Sequence, residues 1–181
     1  MTTHVLKIVI TGGYATGKTQ FVRSISDIDP VSTEQVLTAT TERVLKHETT
    51  VAMDFGSIAI NDQITLHLFG TPGHERFDFM REHLLVGCLG YVVLVDSCRP
   101  AQFTETQYLL FRSMELTEAP FVVAANRQDD PAALPLNYIR RRLGLPFNVP
   151  LVPCVATDCA AVRGVLLALL KHIAARLTLR S

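Results

Sequence analysis

The chain has 181 residues, which is enough for a single domain with a large buried core. Apolar residues make up 48% of it, which excludes a disordered chain and is typical of a compact α/β protein. Lysine plus arginine and aspartate plus glutamate balance at 17 each, so charge gives no reason to expect binding to nucleic acid. The sequence has no transmembrane stretch, lipid anchor or signal peptide. We therefore expect a cytoplasmic protein that reaches a membrane only through a partner.

The first predicted elements are a strand, a glycine-rich loop and a helix. The run His4–Ile10 is β-branched and reads as a buried strand, and apolar residues recur at helical spacing from Phe21 onward. Between them, Gly12–Thr19 reads GGYATGKT, the pattern of a phosphate-binding loop. Its backbone N–H groups can surround a phosphate, Lys18 adds a positive charge, and the Thr19 hydroxyl can bind Mg²⁺. The segment therefore predicts a nucleotide site.

The next elements alternate in a way that predicts a sheet covered by helices. Two alternating runs, Val51–Ile60 and Gln63–Phe69, are joined by a turn at Asn61-Asp62 and predict an antiparallel hairpin. Further strands are predicted at Gly90–Val95, Phe121–Ala125 and Leu151–Val155, and helices at about Gln102–Leu116, Ala132–Leu143 and Ala160–Leu177. The last helix has one apolar face, formed by Val162, Val165, Leu166, Leu169, Ile173 and Leu177. The expected fold is α/β, a mostly parallel six-stranded sheet with one antiparallel edge strand and helices on both faces.

A polar segment, Asn126-Arg127-Gln128-Asp129, directly follows the predicted strand FVVAA. The Asp129 carboxylate can accept hydrogen bonds from the ring N–H and the exocyclic amine of guanine, whereas adenine has no such donor pair. An unpaired buried charge costs about 1–3 kcal/mol or more, so this pairing discriminates between the two bases. Asn126 can bond the base and tie this loop to the phosphate-binding loop. The segment therefore favours guanine.

The order of GGYATGKT, TTVAMDFG, LFGTPGHERF, ANRQD and CVATD resembles the five guanine-nucleotide motifs of the Ras-like small GTPases, over nearly the whole chain. The motifs TTVAMDFG and TPGHERF are closest in sequence to those of the Rab branch. The chain as a whole is most similar to bacterial Ras-like proteins that work beside roadblock-type subunits. The resemblance implies a P-loop NTPase fold, a single G domain over residues 1–181 that binds GTP or GDP with Mg²⁺. It also implies an extended first switch region at about 28–50 and a second at about 71–85.

Individual roles follow from the motifs that match. The nucleotide would be bound by Gly12, Gly13, Tyr14, Ala15, Thr16, Gly17, Lys18, Thr19, Gln20, Gly73, Asn126, Arg127, Asp129 and Ala156. Thr19 and Thr50 would bind Mg²⁺, with Thr49 as the rival to Thr50. His74 stands where Ras-like proteins carry a glutamine and translation factors a histidine. With Lys18 and Thr50 it would form the catalytic set by orienting the attacking water; the alternative is an exposed residue without catalytic weight.

Three departures from the motifs qualify this interpretation. Gly70 replaces the aspartate that holds Mg²⁺ through water, and Asp54 is expected to point along its hairpin strand without substituting for it. Arg127 replaces a lysine, and its planar guanidinium can lie over the base. The first switch region carries an insertion, about Ser32–His47, that would form an extra strand or helix. Its Arg43 would be either an internal arginine finger or surface charge.

Three functions remain open from the sequence. The first is a guanine-nucleotide switch with slow GTP hydrolysis, controlled by a roadblock-type subunit and by activating and exchange factors. The second, favoured by Gly70, is a catalytically weak binding module that responds to GTP and GDP. The third is a P-loop kinase for a small metabolite. Such kinases often have a basic lid over the phosphates, and the sequence shows none. The sequence does not indicate the oligomeric state.

Overall fold

A computed structural model describes residues 4–36, 50–73 and 77–178 of the protein as one sheet packed between helices. The strands are β1 (His4–Gly12), β2 (Val31–Val36), β3 (Thr50–Asn61), β4 (Ile64–Gly70), β5 (Gly90–Asp96), β6 (Phe121–Asn126) and β7 (Leu151–Pro153). The helices are α1 (Lys18–Ile25), α2 (Asp78–Leu85), α3 (Phe103–Leu116), α4 (Leu136–Leu143) and α5 (Cys159–Thr178). The strand order in the sheet is β2-β3-β4-β1-β5-β6-β7.

The sheet differs from the expected one in strand number and at its edge. The described residues form seven strands, since Val31–Val36 pairs antiparallel with the start of β3. The insertion was expected to form an extra strand or an extra helix, and its first residues form a strand. Of these described strands, only β3 runs against the others, and β2 pairs with its outer edge, so the antiparallel strand is second from the edge. The rest of the ladder is parallel, and the predicted mostly parallel α/β sheet is confirmed.

Alternation along β1 divides the core into two layers. Ile8 and Ile10 face the layer that contains the buried residues of α1 and α5, while Val9 faces the layer with those of α2, α3 and α4. Successive strand residues point to opposite faces, so a fully apolar strand must be covered on both sides. The helices on both faces supply that cover, as predicted.

Three helical predictions need correction. The helix α2 was not predicted, because its eight residues bury only Arg81 and Leu85. The helix α4 begins at Leu136 instead of Ala132, because Pro135 has an extended backbone that ends the preceding turn region. On α5, five of the six predicted face residues are buried, but Leu177, in the last turn, is 64% exposed. No helix in the described ranges is long and apolar enough to cross a bilayer.

Parallel strands bring their carboxyl ends to one edge of the sheet, where α/β proteins usually bind ligands. The ends of β1, β5 and β6 meet there, at Gly12, Asp96 and Asn126. The phosphate-binding loop and the segment after β6 are therefore neighbours, although more than a hundred residues separate them in the chain.

Candidate functional site

The loop between β1 and α1 has the backbone form that a phosphate site needs. Gly17 has φ 102°, a left-handed conformation, and its Cα lies against the Asn126 side chain with no room for a Cβ. The helix α1 starts immediately afterwards, and its first turn receives no side-chain cap. Thr16 closes the loop from within, because its hydroxyl donates to Gly13 O at 3.1 Å. The loop thus presents the N-terminal end of a helix, where anions are favoured.

Lys18 is buried at the centre of this loop. Its Nζ donates to Gly12 O at 3.0 Å and to Gly13 O at 2.6 Å. Burial, and to a lesser extent the positive charge of Arg81, lowers the pKa of Lys18 to about 8, while Asp54 and Glu105 oppose that shift. Its positive charge is therefore under-compensated within the protein. A bound phosphate would supply the missing negative charge.

Asn126 joins the phosphate-binding loop to the loop after β7. Its Nδ2 donates to Thr16 O at 2.8 Å, and its Oδ1 accepts from the N–H of Ala156 at 2.8 Å. The predicted tie between Asn126 and the phosphate-binding loop is confirmed. Because Asn126 is buried, both bonds are protected from water and fix the relative positions of three loops.

Beside Asn126 lies a cavity of about 390 Å³. It is lined by Gly17, Gln20, Asn126, Arg127, Asp129, Asp130, Pro131, Val155, Ala156 and Thr157. Gln128 is held away from it, since its Nε2 donates to Ser97 Oγ at 2.7 Å. Within the described part of the chain, the Asp129 carboxylate accepts no hydrogen bond. The cavity therefore lies beside loops that Asn126 holds in place, and the Asp129 carboxylate in its lining is available to a ligand.

Three details of this cavity differ from the expectations. Asp129 is exposed, whereas a buried carboxylate was expected from the sequence. The N–H of Ala156, expected to meet a guanine oxygen, is bonded to Asn126, and the next residue, Thr157, is exposed and lines the cavity. Arg127 has φ 64°, and its Nε lies 3.3 Å from the buried carboxylate of Asp96. This ion pair competes with stacking over a base.

At the other end of the loop, the Thr19 hydroxyl donates to Asp54 Oδ2 at 2.6 Å. The expectation that Asp54 points along its hairpin strand is therefore wrong. Its side chain turns toward α1 because it lies opposite Gly70 on β4, which leaves the space open. Thr19 and the phosphates of a nucleotide would supply the inner ligands of Mg²⁺. In the described ranges, no cluster of three or more His, Cys, Asp or Glu could hold a metal by itself.

Gly73, at the end of the β4 loop, packs against the phosphate-binding loop. A Cβ at this position would lie 3.1 Å from Lys18 Nζ and 2.9 Å from the Cα of Tyr14. Its backbone is thus close to the expected position of the outer phosphate. Thr50 is the first residue of β3, and its side chain lies outside the described part. His74, Thr49 and Arg43 also lie outside the described residues.

Sequence reasoning missed two charged residues near Lys18. Arg81 on α2 is only 4% exposed, donates to Asp78 Oδ1 at 2.7 Å, and has a buried Nε with no partner among the described residues. Glu105 on α3 lies 3.1 Å, through its Oε1, from where a Cβ of Gly13 would be. Neither belongs to a motif. Only the packing of α2 and α3 brings them to the loop.

Comparison with known proteins agrees with a nucleotide site. The chain is 30% identical over 124 residues to an uncharacterised protein of Methanocaldococcus jannaschii, covering 68% of this chain and 71% of that protein. It is also 38% identical over 80 residues to elongation factor 4 of Rhodococcus opacus, and 40% identical over 75 residues to that of Frankia alni. These two matches cover 43% and 40% of this chain but only 12% of each elongation factor.

A family profile matches residues 29–137, which include the Asn126–Asp129 segment and begin after the phosphate-binding loop. That match covers more than half of the chain, and the family's description indicates that its members bind a nucleotide. The chain belongs to the family described as conserved hypothetical ATP binding protein.

Proposed function

We propose that this protein is a guanine-nucleotide switch of the Ras-like type, which binds GTP and GDP with Mg²⁺ and hydrolyses GTP slowly. Without a helper, such switches turn over at roughly 10⁻⁴ to 10⁻² per second. The proposal includes control by partners that contact the switch regions, namely a roadblock-type subunit and activating and exchange factors. A roadblock-type subunit that changes the rate of nucleotide release would support this part.

One observation carries the proposal. Asn126 bonds both the phosphate-binding loop and the Ala156 loop, and the cavity beside it is also lined by Gly17 and Gln20, the neighbours of Lys18 and Thr19 in that loop. A nucleotide whose phosphates lie in the cup around Lys18 would extend its base into this cavity. Charge supports the same orientation, because the under-compensated cation is in the cup and the open carboxylate is in the cavity.

The open carboxylate favours guanine over adenine. Asp129 can accept hydrogen bonds from the two neighbouring donors on guanine, whereas the corresponding edge of adenine offers no such pair. Placing adenine there would cover a carboxylate without a partner, at a cost of about 1–3 kcal/mol or more. Although the family description names ATP, this chain's own residue at the base end supports a guanine nucleotide.

The substitution Asp129→Asn tests the base. We expect unmodified protein to bind GDP far more tightly than ADP. The variant should lose at least about a hundredfold in GDP affinity, since such pairing can discriminate by roughly 10⁴. It should gain affinity for xanthosine diphosphate, because the amide can donate to the extra carbonyl of xanthine. Titration calorimetry with the three diphosphates measures both changes.

Asp130→Asn is the matched control. Asp130 lines the same cavity, but its Oδ1 already accepts from the N–H of Ala132 at 2.8 Å. We expect this variant to keep the preference for GDP. Equal affinities for ADP and GDP in the unmodified protein would contradict the guanine assignment.

A second candidate function is a binding module that responds to GTP and GDP without hydrolysing GTP. Gly70 favours it, because the strand that normally supplies an aspartate to the metal supplies none here. Single-turnover hydrolysis, measured with and without a roadblock-type partner, separates the two functions. Phosphate release in either condition supports the enzyme, whereas no release in both supports the binding module.

A further inference from the structure

A carboxylate on β3 occupies the space that a glycine leaves open on β4. Asp54 and Gly70 are direct partners in the antiparallel ladder of these strands. Residues directly opposite each other project their side chains from the same face. A Cβ added to Gly70 would lie 3.0 Å from Cβ of Asp54 and 3.2 Å from its Oδ2. The two positions therefore share one side-chain volume, which has room for one carboxylate.

The carboxylate of Asp54 meets the hydroxyl group of the phosphate-binding loop. Thr19 Oγ1 donates to Asp54 Oδ2 at 2.6 Å, and Asp54 is only 6% exposed. A hydroxyl has one hydrogen and two lone pairs, so this donation leaves the oxygen free to face a cation. The bond thus orients Thr19 as a metal ligand without using its lone pairs. It also places a buried negative charge next to the expected position of the metal.

We infer that Asp54 is the positioning residue for Mg²⁺, a carboxylate moved from β4 to the neighbouring strand β3. In Ras-like proteins the residue that matches Gly70 holds Mg²⁺ through water; here Asp54 would take that role, and it orients the Thr19 hydroxyl. This inference rests on the proposed function, since it requires a bound nucleotide with its metal. The competing explanation is that Asp54 only stabilises the start of α1, and in that case its charge has no effect on Mg²⁺.

The substitution Asp54→Asn separates these explanations. The amide is isosteric and its oxygen can still accept from Thr19, so the variant keeps the fold while losing the charge. The readout is the release of fluorescently labelled GDP at a series of free Mg²⁺ concentrations. Loss of a carboxylate outside the ligand set typically costs 10–100-fold in metal affinity. We expect the Mg²⁺ concentration that half-maximally slows release to rise at least about tenfold, with no loss of GDP affinity in excess chelator.

An exchange variant tests the shared volume directly. Asp54→Gly combined with Gly70→Asp returns the carboxylate to β4, and the glycine on β3 makes room for it. We expect its Mg²⁺ midpoint to return to within about threefold of the unmodified protein. Asp27→Asn is the control, because Asp27 also binds this hairpin, through the N–H of Ala59 at 2.7 Å, but lies outside the site. Its midpoint should not change.

The outcomes are distinct. An Asp54→Asn midpoint equal to that of the unmodified protein, with normal GDP binding, would overturn this inference alone. A folded exchange variant that keeps the raised midpoint of Asp54→Asn would also overturn it. Failure of the unmodified protein to bind any nucleotide would overturn the proposed function and this inference together.

Discussion

The two ends of the candidate site are held by different kinds of contact. At the base end, Asn126 makes neutral hydrogen bonds to backbone groups of two loops. At the phosphate end, Lys18, Asp54 and Arg81 are buried charges. Neutral bonds are complete without a ligand, whereas buried charges need compensation. The base end is therefore preformed, but its geometry depends on the single side-chain amide of Asn126. The phosphate end is stabilised most when a bound anion compensates its buried positive charge.

The largest expected effect comes from Lys18→Ala, which removes the buried positive charge at the phosphate end. It removes charge-assisted contacts to the phosphates, each worth about 1.5–3 kcal/mol, so affinity for GDP should fall by about 10³-fold. The free energy of unfolding without nucleotide should change little, because removal of a buried charge offsets the loss of the hydrogen bonds to Gly12 O and Gly13 O. Calorimetry and urea denaturation measure the two quantities. Lys171→Ala, on the exposed side of α5, serves as control, and an unchanged GDP affinity in Lys18→Ala would contradict our placement of the phosphates.

At the base end, a substitution should lower the stability of the protein even without nucleotide. Asn126→Ala leaves Thr16 O and the N–H of Ala156 without their partner, and each unpaired buried group costs about 1–3 kcal/mol. The free energy of unfolding should fall by about 2–4 kcal/mol even without nucleotide. Urea denaturation of the nucleotide-free protein measures it.

Gln107→Ala is the matched control, since its amide also bonds a backbone oxygen, Arg142 O at 2.9 Å, but at an exposed site. It should cost less than about 1 kcal/mol. Equal decreases in the free energy of unfolding for Gln107→Ala and Asn126→Ala would show that the hydrogen bonds of Asn126 stabilise the protein no more than an exposed one.

The smallest expected effect is a dependence of binding on pH. Without nucleotide, the pKa of Lys18 is about 8, and a bound phosphate raises it. Binding then takes up a proton above pH 8, so affinity should be constant below that pH and fall up to tenfold per pH unit above it. Calorimetry in buffers of different ionisation enthalpy detects the proton. Lys18→Arg stays charged, so its affinity should not change over this range.

Much of the fold follows from sequence because the buried elements are long and apolar. The strands β5 and β6 are buried on both faces and appear in the sequence as continuous apolar runs, whereas α5 has apolar residues at helical spacing. The strand β2 and the helix α2 have no such signal. The sequence of β2 is mostly polar, and α2 buries an arginine in place of an apolar residue.

The link between Asp54 and Thr19 could not be predicted because it depends on the register of one hairpin. A turn at Asn61-Asp62 would pair Asp54 with Phe69. In the structure the strands close at Asn61 and Ile64, and an irregularity after Ala59 shifts the pairing. Asp54 consequently faces Gly70. A slip of one residue moves a side chain to the other face of the sheet, so the composition of the strands could not locate it.

The outermost strand β2 determines where another polypeptide can add to this sheet. Among the described residues it covers the edge of β3, and the backbone of β2 forms one border of the sheet while the three residues of β7 form the other. A strand from another molecule adds by hydrogen bonds to such a border, and the six residues of β2 offer the longer template. A molecule joined there would be connected, through the ladder of β2 and β3, to the strand that carries Asp54.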